Sequence, residues 1–102
     1  AMLLPGAEAL GMTQRQCLDL LESAEDTLDF LTSSLTYLIH AEKQKAQPDL
    51  QLIAQWEAME SEAFDLQYRL PGATVETYQQ VLETYRQRSR ELRLVVDRYM
   101  AA

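Results

Sequence analysis

The sequence predicts an all-α fold: three long antiparallel helices over about residues 13–45, 48–70 and 74–100, completing their core as a homodimer. Three observations predict it. Apolar residues recur at alternating four- and three-residue steps, the spacing that keeps one face of a helix against a partner. Proline and glycine punctuate the chain between the periodic stretches, at Pro48 and at Pro71-Gly72. Residues that can cap a helix N-terminus stand where the first and third stretches begin.

The first helix is expected to start at Thr13. Thr13 and Gln16 form a capping-box pair, in which two side chains satisfy unpaired first-turn N–H groups. Its stripe runs Cys17, Leu21, Ala24, Leu28, Leu31, Leu35, Leu38. Lys43 and Lys45 suit the negative pole of the helix end, and Pro48 stops continuation. The second helix is expected from Pro48 or Asp49, because proline is tolerated in a first turn. Its stripe is Leu52, Trp56, Met59, Ala63, Leu66, Leu70. The third is expected from Thr74, with Val75, Tyr78, Leu82, Tyr85, Ser89, Leu92, Val96 and Tyr99 on one face. Short connections make sequential helices antiparallel. Residues 1–12 read as an irregular apolar tail, since Pro5, Gly6 and Gly11 discourage a helix there. Residues 13–102 read as one helical domain.

The chain has 102 residues, a formal net charge of −7, and one cysteine, Cys17. Such acidity suits neither nucleic acid nor an anionic membrane, because binding phosphates needs basic neutralisation. A lone cysteine forms no internal disulfide and no cysteine-based zinc site, in keeping with the expected cytoplasmic location. No apolar run reaches the ~20 residues of a membrane span, and no secretory leader is expected. The charge is uneven: residues 1–40 carry six acids and one base, whereas residues 71–102 carry four acids and five arginines.

Catalytic chemistry finds little footing. Cys17 sits on the apolar stripe, where cysteine behaves as a small hydrophobe. His40, the only histidine, is over 30 Å away along the same helix at ~1.5 Å per residue, so the two cannot form a nucleophile–base pair within one subunit. A di-metal site in a bundle wants Glu-x-x-His pairs, and Tyr37 occupies the position three before His40. No catalytic residue, cofactor or metal is therefore expected. His40 followed by Lys43 is the spacing of a histidine phosphotransfer domain, although Gln44 stands where that family places a small residue.

Surplus apolar surface points to protein binding. Phe30 and Tyr37 on the first helix, Ile53, Phe64 and Tyr68 on the second, and Val81, Leu94, Val95 and Met100 on the third lie off the main stripes. Leu18 and Ile39 do as well. Aromatic residues and methionine are enriched where proteins meet. Arg86, Arg90 and Arg93 line one face of the third helix. They are expected to pair with acids on the first helix, of the same or a second subunit, or with an acidic partner. The expected partner-binding set is Leu3, Leu4, Phe30, Tyr37, Phe64, Tyr68, Arg86, Arg90 and Arg93.

The stretch Leu3-Leu4-Pro5-Gly6-Ala7-Glu8-Ala9-Leu10, followed by Cys17-Leu18-Asp19-Leu20-Leu21, resembles small helical proteins of pseudomonads. Across its length the chain is similar in size and character to the QslA-type quorum-sensing antiactivators. That resemblance implies an all-helical dimer. It would bind the ligand-binding domain of an autoinducer-dependent, LasR-type transcription factor and block its dimerisation and DNA binding. The expectation is a non-enzymatic regulator that inhibits a protein partner. The alternatives are a histidine phosphotransfer domain using His40 and a secretion or assembly chaperone.

Overall fold

The computed structural model of the chain describes residues 11–102. It contains α1 (Gln14–Lys43), α2 (Leu50–Arg69), a single 3-10 turn (Leu70–Gly72) and α3 (Val75–Ala101), with no strand among the described residues. The expected tail falls mostly on residues 1–10, and Leu3 and Leu4 lie outside the described residues.

Each helix starts where a side chain can accept its first N–H groups. The Thr13 hydroxyl accepts from the Gln16 amide at 3.1 Å, and the Gln16 side chain accepts from the Thr13 amide at 2.9 Å. Gly11, just before this box, turns the chain with φ +64, a conformation that costs a residue without Cβ little. Asp49 caps α2 by accepting from Leu52 N–H at 3.0 Å, so Pro48 precedes the cap and does not occupy the first turn. Thr74 caps α3 by accepting from Thr77 N–H. The first helix ends two residues short of the expected Lys45. There Gln44 and Lys45 donate to carbonyls only three residues back and tighten the chain into a turn.

The helices run up, down, up. Asp29–Gln67, Thr36–Glu60 and Lys43–Glu57 contacts set α2 antiparallel to α1. α1 is the centre of the domain: Cys17, Ala24, Leu28, Leu31, Leu35 and Leu38 are wholly buried. Both α2 and α3 pack on it, while they approach each other little. The molecule measures 56 × 23 × 17 Å. A thickness of 17 Å is about two helices at the usual ~8–10 Å interaxial spacing, so α2 and α3 lie side by side on α1 and leave a groove between them.

The predicted stripes form this core. Some residues set aside as surplus are part of it too. Ile39, Ile53 and Val81 are buried, because a helix gripped by two neighbours buries a wider arc than one seam.

A buried carboxylate closes one end. Glu42 is 2% exposed. It accepts from the Tyr99 hydroxyl, from Lys45 Nζ at 2.8 Å and from the Asp49 amide at 2.9 Å. One side chain thereby joins the end of α1, the connecting loop, the start of α2 and the end of α3. These donors, with Lys45 first, hold the Glu42 carboxyl down at about 2. The Tyr99 ring receives the Lys45 ammonium at 4.7 Å and the Trp56 ring edge at 6.1 Å between centroids.

Candidate functional interface

The expected partner-binding residues divide between two edges of the slab. Residues seven apart in a helix share a face, so Gln16, Ser23, Phe30 and Tyr37 form one row on α1. Gln79, Arg86, Arg93 and Met100 form a corresponding row on α3. At the lower end Gln16, Ser23 and Gln79 line one open cavity of about 370 Å³, and at the upper end Tyr99 meets Glu42. The two helices therefore run parallel, and both rows follow the same α1–α3 edge. Phe30 is 40% exposed and Met100 is 65% exposed on it, whereas Tyr37 is half-buried against the core.

Phe64 and Tyr68 belong to the opposite edge. Phe64 lies between Glu60 and Gln67, which bond to α1, and so flanks the α1–α2 seam. Tyr68, one turn on, is 87% exposed. No single surface holds all seven of the described candidates.

The arginines do not pair as expected within the chain. Arg86, Arg90 and Arg93 are exposed, and among the described residues no ion pair joins them to an acid of α1. Arg90 reaches only Gln87, at 3.5 Å.

A third surface is marked by the spacing of no single helix. The groove between α2 and α3 holds two cavities. The larger, about 550 Å³, is lined by Met59, Leu92 and Val95 with Glu62, Arg88 and Glu91 on its rims. The smaller, about 230 Å³, has Leu66 and Val81 on its walls. Between them the Tyr85 hydroxyl donates to Glu62 at 2.5 Å, and the Arg88 guanidinium lies 5.1 Å over the Tyr85 ring. Burial, followed by the Glu62 carboxylate, pushes the Tyr85 phenol up to about 12. In the sequence Met59 and Leu66 are ordinary stripe residues and Val95 a surplus one. Only the separation of α2 from α3 makes them a common groove.

The remaining chemistry stays apart. Cys17 is buried within the core, and His40 is exposed. Lys43 is directed to Glu57 of α2, 3.8 Å away. Among the described residues no group of three His, Cys, Asp or Glu side chains is placed to hold a metal ion, and no helix is long and apolar enough to cross a membrane. Comparison with family models, with curated proteins and with solved structures finds no match for this chain.

Proposed function

We propose that this chain is a non-enzymatic regulator that binds a protein partner and holds it inactive, acting as a homodimer. The observation that carries this reading is the apolar surface left after the core is complete. Phe30, Phe64, Tyr68, Leu94 and Met100 are each at least 40% exposed, and an apolar groove separates α2 from α3. A three-helix domain gains nothing from these side chains alone, whereas an interface needs large apolar anchors with a polar rim. Arg86 and Arg93 supply such a rim beside Phe30, with no ion pair to an acid among the described residues.

The resemblance to QslA-type antiactivators gives the reading its finer form. The partner would be a LasR-type transcription factor, and binding its ligand-binding domain would prevent it from dimerising on DNA. The test is direct titration of a purified LasR-type ligand-binding domain with this protein, read by calorimetry, for the wild type and for Phe30→Asp and Phe64→Asp. Each substitution lies on a different edge. The proposal expects a stoichiometric complex that one of the two abolishes while the fold remains. Absence of binding by the wild type removes this partner. Full binding by both variants removes both edges as the contact surface.

A further inference from the structure

We propose that the α2–α3 groove is the surface on which two copies of this chain meet, with Arg88 of each copy opposite Glu91 of the other. The inference rests on the dimeric reading above and names the face that makes the dimer.

The floor of the groove is apolar: Met59 and Val95 are half-buried, and Leu92 beneath them is nearly closed off. Its α3 rim carries one charge of each sign, Arg88 and Glu91, three residues apart and both exposed. Neither takes part in an ion pair among the described residues. Arg88 rests on the Tyr85 ring, and Glu91 accepts a hydrogen bond from Gln87 at 3.2 Å. A partner of uniform charge would attract one of the two and repel the other. A face that repeats the same two charges in reverse order satisfies both, and a second copy turned about a two-fold axis presents that order. In a two-fold contact residue i meets j and residue j meets i, so an axis crossing α3 between positions 88 and 91 creates two Arg88–Glu91 pairs at once. It also lays the apolar floor of one groove against that of the other. Each chain carries a net charge of −7, so two copies repel as wholes. The apolar floor has to supply the attraction, while the paired rim charges set orientation and register.

The experiment measures molar mass by sedimentation equilibrium for the full chain, for Arg88→Glu, for Glu91→Arg and for the doubly reversed variant. Both positions are exposed, and circular dichroism verifies that each variant stays helical. The expected result is a wild-type dimer, weakening on the order of tenfold in each single variant because like charges then face each other, and recovery in the double variant. That recovery is specific to a contact in which the two positions face each other across the axis. A wild type that is monomeric at all concentrations overturns the inference and leaves binding to a different protein intact. A dimer indifferent to all three variants places the contact elsewhere, and single variants that weaken it without recovery in the double one overturn the pairing.

Discussion

The hydroxyl of Tyr99 donates to the carboxylate of Glu42, joining the last turn of α3 to the last turn of α1 across 57 residues of sequence. Lys45 and the Asp49 amide complete the shell of the same carboxylate. A buried charge is costly unless its bonds are satisfied, and here three donors satisfy it. Its carboxyl is held at about 2 against an ordinary 4.5. A depressed carboxyl contributes stability that is present above the ordinary value and is lost as pH falls toward the folded-state value. The protein should therefore lose stability progressively between pH 4.5 and about 2. Glu42→Gln should lower the urea midpoint at pH 7 and lower it much less at pH 2.5. An equal gap at both pH values would show that Glu42 does not act through its charge.

Position in the slab should dominate the cost of apolar truncation. Leu35 is wholly buried at the centre of α1, whereas Tyr68 is 87% exposed at an edge. Leu35→Ala is expected to cost ~2–5 kcal/mol through lost burial and a residual cavity. Tyr68→Ala is expected to change stability by less than ~0.5 kcal/mol. Urea denaturation of both variants checks this. A Tyr68→Ala cost near that of Leu35→Ala would mean that the exposed edge is already covered in the protein as purified.

These contrasts show which parts of the molecule the sequence makes legible. Helix starts at Thr13 and Thr74 are encoded locally, by a side chain three residues from the amide it satisfies, and the caps form as expected. The stripes are equally local, since one period fixes one face. What a stripe does not encode is the separation between two helices that share a third. Met59 and Val95 belong to different helices, and only the failure of α2 to close on α3 brings them to one groove. Glu42 is illegible for a similar reason. A glutamate late in a helix reads as solvated, and its burial depends on Tyr99 and Asp49 arriving from elsewhere in the chain. An off-stripe position does not encode which flank of its helix faces a neighbour. That is why Phe30 and Phe64 land on opposite edges.

Tyr85 offers a separate probe of the groove. Its phenol is raised to about 12, first by burial and then by the hydrogen bond to Glu62. A phenol raised in the folded state contributes stability that is present below its ordinary value near 10 and is lost as pH climbs through about 12. In an absorbance titration Tyr85→Phe should remove signal from the part above pH 11 and leave the part near pH 10 unchanged. If Tyr85→Phe takes its signal from the pH 10 region, the phenol is not held between the two cavities, and the division of the groove at Glu62 does not persist in solution. If instead the late signal is lost as described, Glu62→Gln should move it to lower pH without bringing it to 10, because burial still acts when the carboxylate has gone.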